Sequence, residues 1–580
     1  MASPFFGLDI GSSALRSAQQ LLDTAAHNVA NANTAGYSRQ RVTVVASAPY
    51  TYPAFNRSGL PGQVGTGVSV TAITRVRDTF LDLQLQNQTA LQTEWDTRQQ
   101  ELSKVESIFP EPSTSALGSV ISKYWSAWQD VAADPTSNAA RTAMAEQASS
   151  LAMEINRDST QLGMVATGID SQVSQQIISV NDIAKQIASL NGQIQRVTVT
   201  GDHANDLLDQ REQLLEKLSA IMPTDIVSQP DGSISVLVGG TDLVSNVWSR
   251  QLVPQLDASG HVTPTWAGGA AVDLQTGQMK ALIQVRDGDV ANYRTQLDSL
   301  AKGIADATNA LHERGVDAYG NAGQALFTYH AGDAAQTLAV NPAITADPGL
   351  VAAAASPNSA GDGSVAGLIA DLSNARSYSA GVSGTNLVGA MNLTTNTTAR
   401  LMTIATDTAV AQTYTFTGSG SSLTLTGADG STQTINVADM STGGTQTLDF
   451  DQLGIKLVIA TTSAPKAGAD LVTDMTTAGQ NSIVAASLYS PAQTTTDLYG
   501  SLVGKIGTAS AQASEMLKNQ QLVVNQLTTR VQEVSGVSLD EEATDMIRFQ
   551  HAYQAAARVI TTMDEMLNTL INGTGLVGRG

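Results

Sequence analysis

A chain of 580 residues with a formal net charge of -21, only 14% charged and 4% aromatic residues, offers no clustered Lys and Arg for phosphate contact. That excludes a general nucleic-acid binder and an anionic-membrane binder. Cysteine is absent, which removes disulfide scaffolds, thiolate zinc sites and thiol nucleophiles together, and no run of about 18 apolar residues exists to span a membrane. With 42% hydrophobic residues and a prior of roughly 150 residues per domain, about four domains are expected, each able to bury a core.

The first element is a helix from Gly7 to about Asn33, with Leu8, Leu15, Leu22 and Val29 recurring along one edge. It stops at Asn33-Thr-Ala-Gly36-Tyr37, where Asn and Gly supply turn geometry. Arg41-Val-Thr-Val-Val alternates in β-forming residues, and the segment to about Arg75 is Gly- and Pro-rich, an irregular arm or short hairpin. Residues 1–75 thus form a terminal helix with an extended arm. Helices fill 76–225: Leu81 to Ile108, Ala116 to Ala132, and a tract from Asn138 to Leu218 with weak spots at Gly163, Gly168 and Gly192.

Residues 226–275 read as a small β meander around Ile234-Ser-Val-Leu-Val, and Gln278 to Arg314 as a helix with Leu282, Val285, Leu297, Leu300, Ile304, Ala307 and Leu311 on its buried side. Segments 276–340 and 481–535 are assigned to the same rod-like helical domain as 76–225. No Glu occurs between Glu313 and Glu515, and residues 341–480 read as a β insert rich in Thr, Ser and Gly, with alternation such as Tyr414-Thr-Phe-Thr. From Ser482 helices return. A heptad seam runs from Ile506 to Val534, and residues 536–580 carry a last helix whose Phe549, Tyr553, Ile560, Met563 and Leu567 keep 3-4 spacing.

Two apolar stripes at opposite ends of a chain each need a facing helix, so the termini are expected to meet. At about 1.5–3 kcal/mol for each large apolar side chain fully buried, before the cost of ordering, such a seam rewards docking. The fold class is therefore multidomain α+β: a helical-bundle core formed by the N- and C-terminal halves with paired terminal helices, plus inserted β-rich outer domains.

Catalytic motifs are few. Gly500-Ser-Leu-Val-Gly-Lys505-Ile is one residue short of a phosphate loop and has Ile506 where a magnesium-binding hydroxyl belongs. The six histidines, His27, His203, His261, His312, His330 and His551, are scattered over different modules, so no convergent catalytic or metal set is assigned. Ser538-Leu-Asp-Glu-Glu reads as a capping box whose acids sit in the first helical turn and favour the macrodipole. The chain is read as a non-enzyme with no cofactor and no metal.

Asn28, Asn31, Asn33, Thr34, Gly36, Tyr37, Arg39 and Gln40, in Ala26-His-Asn-Val-Ala-Asn-Ala-Asn-Thr-Ala-Gly-Tyr-Ser-Arg-Gln, resemble the rod and hook signature of bacterial flagellar axial proteins. The C-terminal Ser535-Gly-Val-Ser-Leu-Asp-Glu-Glu segment and its helix are similar to the ends of the hook-associated members, as are Asp206-Leu-Leu-Asp-Gln-Arg-Glu-Gln-Leu-Leu and the pattern Asn309-x-x-His312-x-x-Gly315-x-Asp317. The resemblance implies a structural protein exported without a cleaved signal peptide to the extracellular flagellum, where it forms the junction between hook and filament. Its implied partners are further copies of itself in a ring, the hook protein, the next hook-associated junction protein, and an export chaperone at the C-terminal helix, with no nucleic acid and no membrane insertion. Leu8, Leu15, Leu22, Val29, Asn31, Asn33, Gly36 and Tyr37, with Phe549, Tyr553, Ile560, Met563 and Leu567, are the expected assembly interface. The hook protein itself, or a secreted adhesin carrying the Thr-rich module, are the competing readings.

Overall fold

The computed structural model describes residues 5–49, 65–114, 116–373 and 494–573, together with strands and one helix between 391 and 476. In chain order these are α1 (Phe6–Asn31), β1 (Gln40–Ala46), β2 (Val68–Arg75), α2 (Thr79–Glu106), α3 (Leu117–Ala133), α4 (Asn138–Val199) and α5 (Asn205–Ile221). A β segment follows: β3 (Asp225–Ser228), β4 (Ile234–Val238), β5 (Thr241–Ser245), β6 (Trp248–Ser249), β7 (Leu252–Leu256) and β8 (Val262–Trp266). Then come α6 (Gln278–Gln284), α7 (Ala291–His312), α8 (Ser364–Asp371), and strands β9 (Met391–Asn396), β10 (Ala399–Ile404), β11 (Gln412–Ser419), β12 (Ser422–Thr426), β13 (Thr432–Asn436), β14 (Thr445–Phe450) and β15 (Ile455–Ala460). Helices α9 (Gly468–Thr476), α10 (Thr495–Ser535) and α11 (Leu539–Asn568) close the chain. The class is mixed helical with several small antiparallel sheets and, among the described residues, no closed barrel.

Two compact units share the chain, each assembled from separated stretches. The first takes residues 1–103, 166–288 and 510–580, the second 104–165 and 289–509. The rod-like domain expected over 76–225 is therefore divided, with 104–165 in one unit and the rest in the other. The physical reason lies in α4, a single helix of 62 residues. At 1.5 Å per residue it is ~90 Å long, about three times the diameter of a small domain, and one core cannot cover it. Its buried edge, Leu151, Ile155, Leu162, Ile169, Val173, Ile177, Val180, Ala184, Ile187 and Ile194, continues past Gly163, Gly168 and Gly192, so burial outweighs the roughly 1 kcal/mol each glycine costs a helix.

In the first unit, β3 to β6 form a four-stranded antiparallel sheet and β7 with β8 a separate ribbon, rather than one meander. Ile234, Val236 and Val238 of β4 are buried at alternate positions. Asn191 of α4 pins this sheet: its Nδ2 donates to Ile234 O (2.8 Å) and Asn246 O (2.6 Å), and its Oδ1 accepts from Arg211 Nη1 (2.9 Å). Burial pulls the Arg211 guanidinium down to about 10, against the opposing charge of Glu212. Residues Val285–Val290 form a π-helical turn after α6, which the regular period expected for Gln278 to Arg314 does not contain. The extra residue per turn brings Arg286 inward, where its fully buried side chain donates to Asp170 Oδ1 (2.6 Å), Val262 O (2.6 Å) and Asp287 Oδ1 (2.7 Å).

In the second unit, the buried face of α3, including Leu117, Ile121, Tyr124 and Trp128, packs with α7 and α8, and the Tyr124 hydroxyl meets Thr308 Oγ1 at 3.0 Å. The β insert expected from residue 341 begins later. Ile344, Val351, Ala352, Ala353, Val365, Ala366 and Ile369 are buried in this helical core, and the first strand of the insert starts at Met391. Small residues mimic a polar insert in composition, yet they allow close packing against α3. Strands β9 to β13 form a five-stranded antiparallel sheet in sequence order, β14 and β15 a hairpin, and α9 packs on the sheet through a face holding Leu471 and Val472. The return of helix expected from Ser482 falls partly outside the described residues, which resume before α10.

His312 ties this core together. Its Nε2 accepts the Ala352 amide at 2.8 Å while Nδ1 lies at 2.5 Å from the Gln324 carbonyl, and Trp128 stands edge-on to the ring. Only the neutral ring can accept and donate in this way. Burial, with help from Arg141, pulls its pKa down to about 4 against the Gln324 carbonyl and Asp317. An unfolded histidine near 6.5 binds protons first, so this contribution is complete above pH ~6.5, declines as pH falls, and is gone below ~4. Asp158, pushed up to about 6 by its own burial, works in the opposite sense over part of that window. The comparison of wild type with His312→Gln isolates the effect: thermal unfolding should lose ~3 kcal/mol more in wild type than in the variant between pH 7 and 4. Parallel pH profiles would contradict it.

Candidate assembly interface

Helix α1 packs along α11, and the contacts fix an antiparallel register. Met563 lies over Gly7, Ile560 over Gly11, and Glu542 reaches Asn28. The buried residues of α1 are Gly11, Ser17, Ala18, Thr24, Ala25 and Asn28, a stripe of small side chains that lets the partner backbone approach. A Cβ on Gly7 would lie 2.6 Å from Met563 Cε, and one on Gly11 would lie 2.8 Å from Ile560 Cγ1. At Gly11 glycine is thus a requirement of close packing, whereas at Gly7 the crowding atom is the flexible end of Met563.

The expected interface residues fall around this stripe. Leu8, Leu15 and Leu22 are half-buried on its flank, and Val29 is 37% exposed. On α11, Phe549, Ile560, Met563 and Leu567 are half-buried, whereas Tyr553 is 36% exposed. Only Glu542 and Ala556 are buried on that helix. A second row, Val559, Met566 and Leu570, is open to solvent.

Below the pair, the turn after α1 is bound into a polar clasp. Gly36 takes φ +75°, and a Cβ there would collide with the Gln213 side chain, whose Nε2 donates to Ala35 O at 2.5 Å. Asn28 works from the last turn of α1: its Oδ1 accepts from the Tyr37 hydroxyl (2.7 Å) and the Gln40 amide (2.9 Å), and its Nδ2 donates to Gln40 O (2.9 Å) and Glu542 Oε2 (3.1 Å). Arg39 Nε donates to Glu542 Oε1 (2.7 Å), Nη1 to Glu541 Oε2 (2.8 Å), and Asp545 stands 4.0 Å away. Burial pulls that guanidinium down, but Glu542 and Glu541 more than offset it and hold its pKa above the ordinary value. Burial also pushes the Tyr37 phenol up, reinforced by Asp206, Asp209 and Glu542, so it stays a donor.

Helix α5 supplies the other wall. Asp209 accepts from Ser38 N (2.9 Å), Ser38 Oγ (2.7 Å) and Arg75 Nη1 (2.7 Å), while Asp206 accepts from Gln40 Nε2 (2.8 Å) and lies 3.5 Å from His27 Nε2. Asn31 and Asn33, expected to set the turn, sit at its margin. Asn31 donates to His27 O and accepts from Thr34, and Asn33 is exposed. Asn28, Arg39, Asp209 and Glu542 carry the turn's longer-range hydrogen bonds. The capping box forms in part: Ser538 Oγ accepts the Glu541 amide at 3.4 Å, and the Glu541 carboxylate turns to Arg39. Among the described residues, no group of three or more His, Asp or Glu is placed to hold a metal ion, and no helix is long and apolar enough to cross a membrane.

Both halves of this interface match family models. Residues 8–37 match the flagella basal body rod protein, residues 529–573 the flagellar basal body rod FlgEFG protein C-terminal, and residues 102–327 the flagellar hook-associated protein FlgK helical domain. End to end, the chain is 28% identical to flagellar hook-associated protein 1 of Bacillus subtilis, covering 100% of both chains. Over its whole length the chain is similar to flagellar hook-associated protein 1. The Escherichia coli relative of that name is 28% identical over 97% of this chain and 98% of its own, and the Salmonella typhimurium relative 27% over the same shares. A solved flagellar hook junction protein FlgK from Burkholderia pseudomallei aligns with a TM-score of 0.48 at 18% identity, over 78% of this chain and 100% of that one. The relatives this chain matches are named as flagellar hook-associated proteins, and the helix pair and its clasp lie in the two terminal segments that match the basal body rod models.

Proposed function

We propose that this chain is the structural junction between hook and filament: copies form a ring at the hook tip, seat the next hook-associated junction protein, and so enable filament assembly. The observation that carries this reading is the incomplete cover of the terminal helices. Leu8, Leu15 and Leu22 on α1 and Phe549, Ile560, Met563 and Leu567 on α11 are only half-buried, and Val559, Met566 and Leu570 stand open beside them. Neighbouring subunits and the hook protein supply the missing wall, so the entropy of ordering the ends is recovered at docking. The residues proposed for that contact are Leu8, Leu15, Leu22, Val29, Phe549, Tyr553, Ile560, Met563 and Leu567, with Asn31, Asn33, Gly36 and Tyr37 shaping the turn. Export to the extracellular flagellum without a cleaved signal, with a chaperone on the C-terminal helix beforehand, belongs to the same proposal. The full-length relatives carry the hook-associated name, which does not favour the hook-protein or adhesin readings.

Leu22→Asp and Ile560→Asp test it. A charge in an apolar seam is costly to desolvate. Electron microscopy of cells carrying either variant should show hooks without filaments, while the purified protein keeps the main thermal transition of wild type. Normal filament attachment in both would overturn the reading.

A further inference from the structure

The clasp binds the turn between α1 and β1 to two different kinds of partner. One set belongs to elements outside the terminal helices: Asp209 takes Ser38 N and Oγ, Gln213 takes Ala35 O, Asp206 and Asn205 grip the Gln40 side-chain amide at 2.8 and 3.1 Å, and Ser535 O at the end of α10 accepts Arg39 N at 2.9 Å. The other set belongs to the terminal helices themselves: Asn28 of α1 on Tyr37 and Gln40, and Glu541 and Glu542 of α11 on Arg39. Only the second set disappears if α1 and α11 unfold. Asp209 is 4% exposed and Ser38 1%, so the two hydrogen bonds between them are shielded from water.

We propose that the Ala35–Gln40 turn is a preformed anchor, held by Asp209, from which the two terminal helices fold during assembly. This inference rests on the reading of assembly-coupled ends and names the residues that start the process. A helix pays most of its entropic cost in its first turn. The anchored turn presents Tyr37 and the Gln40 backbone to Asn28, which fixes the last turn of α1. It presents the Arg39 guanidinium to Glu541 and Glu542, which fixes the first turn of α11. From there the pair closes towards Gly11 with Ile560 and Gly7 with Met563, and its antiparallel register is set at the clasp. Asp209 is a positioning residue: it touches neither terminal helix through any of these hydrogen bonds and acts through Ser38 and Arg75. Glu542 is the key that the anchored Arg39 receives.

Amide exchange of the free full-length chain, read residue by residue, tests this. The Ser38 amide, bonded to Asp209, should exchange at least about a hundredfold more slowly than amides in the middle of α1 and α11. Asp209→Asn should remove that difference, and Ser38→Ala should reduce it, while the Ile234 amide, bonded to Asn191 at 3.3 Å, keeps wild-type protection as the control for folding. Glu542→Gln should leave Ser38 protection in the free chain unchanged and lose protection of α11 in assembled junctions. Arg39→Glu combined with Glu542→Arg should restore it. A Ser38 amide that exchanges as fast as the terminal helices overturns the anchor, whether those helices are open or closed in the free chain. Helices protected in the free chain, with Ser38 protected still more, would instead retire the assembly-coupled reading and leave the anchor standing.

Discussion

Gly11→Leu is expected to leave the chain folded and to abolish filament attachment. The Cβ alone would lie 2.8 Å from Ile560 Cγ1 and 3.7 Å from the Ile560 backbone nitrogen. Isoleucine is β-branched and stiff at χ1, so it cannot swing aside as a methionine can. Overpacking of this kind costs about 1–3 kcal/mol for a side chain that still fits, and a leucine adds three further carbons along the axis of closest approach. At Gly7 the obstructing atom is the Cε of Met563, the far end of a flexible side chain, so Gly7→Ala should be tolerated. Gly11→Ala separates propensity from packing. It favours an isolated helix by about 1 kcal/mol, since alanine is the better helix former, yet it opposes closure of the pair. Circular dichroism of a peptide spanning α1 should therefore show more helix for Gly11→Ala, while assembled junctions carrying it are less stable. If both quantities rise together, the pair does not close through this contact.

The sequence makes the meeting of the termini legible because leucine and isoleucine advertise a seam. It does not show which residues form the line of contact. Gly7 and Gly11 carry no hydrophobic signal of their own, and their role appears only when the Met563 and Ile560 side chains are placed over them; Ala18 and Ala25 continue the same buried stripe. The large residues Leu8, Leu15 and Leu22 lie beside that line, where they are left for other partners. Glu542 is hidden by a sufficient simpler account. An acid in the first helical turn satisfies the helix dipole, and nothing local reveals that it is buried against Arg39 some 503 residues away in sequence. The usable signal was an arginine in the N-terminal turn with no acid near it in the chain, opposite a helix start with three.

Other misses have the same character. The π turn at Val285–Val290 obeys no period that a stripe count can detect, although a buried arginine flanked by aspartates marks the place. Composition suggested that the β insert begins at residue 341, whereas the Ala352 amide is a hydrogen-bond donor to His312 in the helical core. Long-range partners decide these positions, and a single chain read locally contains no trace of them. By contrast α1, α4 and α5 follow from local periodicity, because their buried faces are continuous over many residues, and the Thr-rich strands follow from alternation of β-forming residues.

The central claim is that the terminal helices complete their fold only when neighbours cover them. In this structure their pairing hides a narrow small-residue stripe and leaves Val29, Val559, Met566 and Leu570 at 37–68% exposure alongside Ile571. An apolar surface of that extent gains about 1.5–3 kcal/mol for each large side chain once it is fully covered, which exceeds the rotamer entropy lost on docking. On the proposed reading, a pair that is marginal alone becomes stable in a ring. Hydrogen exchange on the free chain and on isolated hook-filament junctions measures this directly. The free chain should exchange rapidly before about Asn33 and after about Asp540, and the same segments should gain at least about a hundredfold protection in the junction, with the second compact unit unchanged between the two. Strong protection of α1 and α11 in the free chain, equal to that in the junction, would contradict the account.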